Sequence, residues 1–142
     1  MINSSNANFL GIGIDIVHIP SFERAMENSP NLRFRLFANS EIGLDSNSLA
    51  GKFAAKEATI KSLGQAGVII DIRDIFVGRN DLGIPFIKIK EKQDRKGKSS
   101  NLSFSISISH HTDYAIAIVL CFKDKSSILN IIKKLIIRNR SL

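Results

Sequence analysis

Residues 9–17 alternate with the period of a strand: Ile12, Ile14 and Ile16 fall on one face, and Gly11, Gly13, Asp15 and Val17 on the other. The second face is the informative one. Two glycines beside a carboxylate leave room for something to approach the backbone closely. Pro20 is placed to open a helix at its first turn, running to about Asn28, and a further helical stretch is expected from Pro30 to Ile42.

The capping residues Asp45-Ser-Asn-Ser48 introduce a longer helical pattern that Gly64 is expected to stop. Residues 68–74 carry no clear period. Ile75–Gly78 and Ile84–Ile89 read as two strands joined by the turn Asn80-Asp-Leu-Gly83, and Glu91–Ser100 as a polar loop or short helix. Leu102–Ser109 alternates strictly, with Leu102, Phe104, Ile106 and Ile108 on one face and serines on the other. After a turn at His110–Asp113, Tyr114–Phe122 is apolar on both faces, as a central strand is. Over Ser126–Arg138, Ile128, Ile131, Ile132, Leu135 and Ile136 form a helical stripe. The pattern predicts an α+β fold. One domain is expected over residues 1–122, with a basic amphipathic helical extension over 123–142.

Charge changes the picture less than its total implies. The chain carries a net +7, but residues 123–142 hold six cations against Asp124 alone. Between Lys88 and Lys98 six more face Glu91 and Asp94, with no aromatic ring interleaved to stack a base. That is not the footprint of a nucleic-acid binder; it suits an acidic partner or a phosphorylated small molecule. Cys121 has no second cysteine to join and sits in an apolar run, so it reads as a core thiol. No membrane span and no signal peptide are legible, and the cytoplasm is the expected compartment.

Candidate chemistry lies on the long helix. At about 100° per residue, Leu49, Phe53, Ile60 and Leu63 define its apolar stripe, with Glu57 only about 40° from Phe53 and Lys61 about 80°. A carboxylate beside an apolar stripe is costly unless paired or bound to a cation. Glu57 and Lys61 are therefore either an ordinary i,i+4 ion pair worth roughly 0.3 kcal/mol or the centre of a site. Asp15, flanked by its glycines, is either a hydrogen-bonded strand residue or a second carboxylate for a divalent ion such as magnesium. The three histidines lack zinc-site spacing, Ser109-His110 lacks a nucleophile elbow, and Gly11-Ile-Gly13 lacks the third glycine of a dinucleotide fingerprint.

Three segments together are more specific. Gly11-Ile-Gly-Ile-Asp-Ile-Val-His-Ile19, Lys52-Phe-Ala-Ala-Lys-Glu-Ala-Thr-Ile-Lys-Ser-Leu-Gly64 and Ser107-Ile-Ser-His-His-Thr-Asp-Tyr-Ala115 resemble the holo-[acyl-carrier-protein] synthases, the short 4'-phosphopantetheinyl transferases. Gly83-Ile-Pro85 resembles that family's Gly-x-Pro strand pair. The resemblance covers about residues 9–122 and implies an antiparallel sheet packed against a long central helix. It implies transfer of phosphopantetheine from coenzyme A to a serine of apo acyl carrier protein, with release of adenosine 3',5'-bisphosphate, a step of lipid metabolism. By the same resemblance Asp15 and Glu57 hold magnesium, Lys61 contacts phosphate, and Lys52 and His110 line the nucleotide side of the coenzyme A site. The general base is Glu57 or a metal-bound water, and the assembly is a homotrimer.

Four positions depart from the family pattern. His18 stands where an acidic residue is usual, Pro20-Ser21 where basic residues are, Lys52 where arginine is, and Gly64-Gln-Ala-Gly67 where the family has Gly-Thr-Gly. Lys52 keeps charge without arginine's two-pronged grip on phosphate. These departures leave open a second reading, an inactive relative that only binds coenzyme A or carrier protein.

Overall fold

A computed structural model describes residues 7–90 and 102–124. The segment expected to be polar at 91–100 and the extension beyond 124 lie outside the described residues. In chain order the elements are β1 (Ala7–His18), α1 (Ile19–Asn28), α2 (Leu32–Leu36), α3 (Ser46–Gln65), a short 3-10 turn (Ile72–Asp74), β2 (Ile75–Arg79), β3 (Pro85–Ile89), β4 (Leu102–His111) and β5 (Tyr114–Asp124). One antiparallel sheet has the order β1-β5-β4, with β5 central as its two apolar faces predict, and β2-β3 form a separate antiparallel pair. The predicted α+β class and the sheet-on-helix arrangement hold.

Helix α3 fixes the layout because it lies directly on the sheet. Its contact face is small: Ala50, Ala54, Ala58 and Ser62 are buried, as are Ala115, Ala117 and Gly13 on the strands. A Cβ on Gly13 would stand 1.8 Å from the Ala58 carbonyl oxygen, and one on Gly11 2.2 Å from that of Ser62. The room expected beside Asp15 is thus filled by the protein's own helix. Leu49 and Leu63 are fully buried at either end, each worth about 2 kcal/mol.

The free edge of β1 is closed by side chains of α3 rather than by another strand. Gln65 accepts from Ile12 N–H (3.0 Å) and donates to Ile12 C=O (2.8 Å), while Lys61 donates to Ile14 C=O (3.0 Å). These bonds lock helix and strand in register. They also bring Lys61 beside Asp15.

Three boundaries differ from the sequence reading. The helix expected over 30–42 is confined to α2, because Phe37 turns extended and buries its ring against Phe22. Helix α3 runs past Gly64; the residue beyond it in the left-handed region is Gly67, at φ +72°. His110 and His111 belong to β4, since the ladder to β5 continues to His111↔Tyr114 and only Thr112 and Asp113 turn.

Candidate active site

Two cavities flank α3. The larger, about 720 Å³, is bounded by β1, α1, α2 and the middle of α3, and Asp15, His18, Ser21, Phe53 and Glu57 line it. The smaller, about 400 Å³, opens at the N-terminal end of α3, where Ser48, Gly51, Lys52, Arg79, Phe86 and His110 line it.

In the larger cavity Asp15 and Glu57 come from strand and helix to share one space. Lys61 does not pair with Glu57, its neighbour one turn away. It donates to Asp15 Oδ1 at 2.7 Å, so the bland i,i+4 pair is replaced by a helix-to-strand pair. Glu57 is half-buried, and its carboxyl is pushed above the ordinary carboxylate range, first by burial and then by the negative charge of Asp15, against the pull of Lys61. Two like charges facing one cavity are an arrangement that a divalent cation relieves. Among the described residues no cluster of three or more histidine, cysteine or acidic side chains is placed to hold a metal. The protein therefore offers two carboxylates, which fits magnesium, an ion that keeps waters and substrate phosphates as its remaining ligands.

Two of the departures from the family pattern, His18 and Ser21, meet at this cavity. His18 Nδ1 and Ser21 Oγ share a hydrogen bond of 2.7 Å, and Arg24 donates to the same hydroxyl at 3.2 Å. The His18 ring rests on Tyr114, centroids 5.1 Å apart. A basic side chain thus reaches position 21 from one turn further along α1.

In the smaller cavity His110 Nε2 donates to Asn47 C=O at 3.0 Å and lies over Gly51, where a Cβ would stand 2.7 Å from that nitrogen. Glycine at 51 is therefore what lets His110 approach the helix. Asp45 caps α3, accepting from Ser48 N–H (3.0 Å) and Ser48 Oγ–H (2.7 Å); that hydroxyl holds the Asp45 carboxyl below its ordinary value. Lys52 donates to Val77 C=O and to Glu41 Oε1 at 3.3 Å, with the Phe76 ring beneath it.

Behind Lys52 stand two charged residues that the motif reading misses, Glu41 and Lys56. Both are fully buried, and Lys56 Nζ donates to Glu41 Oε2 at 3.0 Å and to Leu36 C=O at 2.8 Å. Burial lowers the Lys56 pKa, against the opposing hold of Glu41. The helical wheel carries the missing signal: Lys56 lies about 60° from Phe53, between Leu49 and Leu63, deeper in the stripe than Glu57.

The structure thus gathers Asp15 and Glu57 at one cavity, with Lys61 bonded to Asp15 beside it, and Lys52 and His110 at the other. Cys121 is buried, and burial raises its thiol pKa, in keeping with a core thiol.

The comparisons agree with this geometry. A family model described as the 4'-phosphopantetheinyl transferase superfamily matches residues 11–119. A curated holo-[acyl-carrier-protein] synthase of Clostridium botulinum is 38% identical over 113 residues, 75% of this chain and 92% of that protein. A crystal structure of Helicobacter pylori holo-[acyl-carrier-protein] synthase in complex with coenzyme A superposes with a TM-score of 0.66 at 35% identity, covering 78% of this chain and 98% of the other. A Bacillus anthracis holo-(acyl-carrier-protein) synthase in complex with coenzyme A gives a TM-score of 0.65 at 27% identity, over 82% and 98%.

Proposed function

The chain belongs to the 4'-phosphopantetheinyl transferase superfamily, and from that premise we propose that it transfers the 4'-phosphopantetheine group of coenzyme A to a serine of apo acyl carrier protein. The observation that carries this reading is that Asp15, paired with Lys61, shares one cavity with Glu57 at the middle of α3, while a cation-lined cavity opens at the N-terminal end of the same helix. Phosphoryl transfer asks a protein chiefly for positioning and for charge where oxygens become negative.

Asp15 and Glu57 hold magnesium in this reading, and the ion neutralises the pyrophosphate when bound. Lys61, half exposed on its flexible stem, is the cation that turns from Asp15 to a phosphate oxygen. The serine Oγ attacks the β-phosphorus, and the bond to the adenosine 3',5'-bisphosphate side breaks. The serine proton must leave as the new bond forms. Glu57 is one group at this cavity placed to take it, and a water that the magnesium would activate is the other. Lys52 and His110 receive the nucleotide end in the smaller cavity.

Exposed Arg24, which donates to Ser21 on the lining of the larger cavity, and exposed Arg35 on α2 offer charge to an acidic carrier protein. The outer face of β1 and β5 leaves Ile12, Ile14, Ile16 and Ile116 exposed, Ile14 and Ile16 at 60% each. An apolar strip of this kind calls for cover, and a homotrimer supplies it with two further copies. No helix among the described residues is long and apolar enough to cross a membrane, and the substrates favour the cytoplasm.

Mass spectrometry of an apo carrier protein incubated with this chain, coenzyme A and magnesium tests the proposal. The carrier is expected to gain one phosphopantetheine, and a chelator to abolish the gain. Several apo carriers all left unmodified would favour a binding-only relative.

A further inference from the structure

The buried pair Glu41–Lys56 has no place in the chemistry described so far. Two fully buried charges are costly, and apolar residues of similar volume commonly serve packing as well or better. Their geometry leads to Lys52. Glu41 Oε1 receives Lys52 Nζ, and Glu41 Oε2 receives Lys56 Nζ together with the Ala38 N–H at 2.9 Å. Lys52 spends a second donor on the Val77 carbonyl. An ammonium has three donors, so one remains for a ligand in the cavity that Arg79 and His110 also line.

The charge count is what gives Lys56 a purpose. Lys52 and Glu41 alone would be a neutral pair at the cavity wall. With Lys56 behind, the triad carries one net positive charge, and only Lys52 of the two lysines lines the cavity.

We infer that Glu41 and Lys56 are positioning residues for the cationic cavity: Glu41 anchors the Lys52 head, and Lys56 cancels the Glu41 charge so that Lys52 presents its own to a phosphate group. This inference deepens, and rests on, the reading that the smaller cavity takes the phosphate-bearing nucleotide end of coenzyme A.

The test compares steady-state transfer, with coenzyme A varied at saturating carrier protein and magnesium, for the wild type, Lys52→Met, Lys56→Met and Lys56→Met/Glu41→Gln, alongside thermal melting. Lys56→Met leaves Glu41 to neutralise Lys52, and KM for coenzyme A is expected to rise about five-fold with kcat within about two-fold. Adding Glu41→Gln removes the excess negative charge, and KM is expected to return to within about two-fold of wild type. Packing damage alone would not be reversed by a second buried substitution.

An unchanged KM in Lys56→Met, or a rise that Glu41→Gln does not reverse, would overturn the inference. Should Lys56→Met fail to fold, Lys56→Gln, which removes the same charge and keeps a donor for Glu41, takes its place. A KM raised about five-fold then supports the inference, and an unchanged one overturns it. Lys52→Met separates the two levels: an unchanged KM there would overturn the placement of coenzyme A itself, whereas a raised KM there beside an unaffected Lys56→Met would overturn only the role of Glu41 and Lys56.

Discussion

The cavity at the middle of α3 is large, mostly apolar and armed with two carboxylates; the one at its N-terminal end is smaller and armed with cations. Both hang on a single helix, and their ionisable groups are treated differently. Glu57 is half-buried and faces another negative charge, so it is primed for a cation or a proton. Lys52 is held by a carboxylate that is itself balanced from behind. In the proposed reading one cavity gathers charge during the reaction and the other recognises charge already present. Along α3 their charged residues, Glu57 and Lys52, stand five positions apart, roughly 7.5 Å along the axis.

The most drastic way to break this arrangement is at the shared helix. Gly13→Ala drives a methyl into the Ala58 carbonyl oxygen, and backbone there has nowhere to move without shifting α3 off β1. A loss of about 3 kcal/mol in urea unfolding is expected, with both cavities impaired together. Asp15→Ala attacks only the larger cavity: kcat should fall about 10³-fold while KM for coenzyme A stays within about three-fold. Lys52→Met attacks only the smaller one, and the split reverses, with KM up about ten-fold and kcat within about two-fold. A variant of either that moved both parameters equally would mean the two cavities are not separate in function.

The smallest effect concerns stability. Because the Glu57 carboxyl holds its proton more tightly in the fold than in the unfolded chain, the folded state binds more protons just above the ordinary glutamate pKa. Stability therefore falls as pH rises through that window, and the cost persists at neutral pH. Glu57→Gln should remove that fall and raise the melting temperature at pH 7 by about 1–3 °C while harming turnover. A variant that melted lower at pH 7 would show that the carboxylate is stabilised by the fold.

Much of this was legible beforehand where the physics is local. The alternation of β1 and of Leu102–Ser109 fixes their faces, the apolar Tyr114–Phe122 marks a central strand, and the Asp45 cap opens α3 where capping chemistry says it should. Asp15, Glu57 and Lys61 could be singled out by type and spacing, but not their pairing. Whether Lys61 meets Glu57 or Asp15 depends on the Gln65 and Lys61 bonds to the edge of β1, which span 53 and 47 residues. The Glu41–Lys56 pair escaped because a lysine in an apolar stripe is read as noise unless its partner, 15 residues away, is known to fold back on it. The Pro30–Ile42 helix failed for a related reason: Glu41 accepts from the Ala38 N–H, and this non-helical turn sends the carboxylate inward.

The central claim is that Glu57 and Asp15 work together in the larger cavity during transfer. The most direct test is the rate of phosphopantetheine transfer by Glu57→Gln, followed by carrier-protein mass as magnesium is raised to saturation. The account predicts turnover about 10³-fold below wild type that no magnesium concentration restores. Near-normal turnover at saturating magnesium would contradict both the ligand and the proton-accepting role of Glu57.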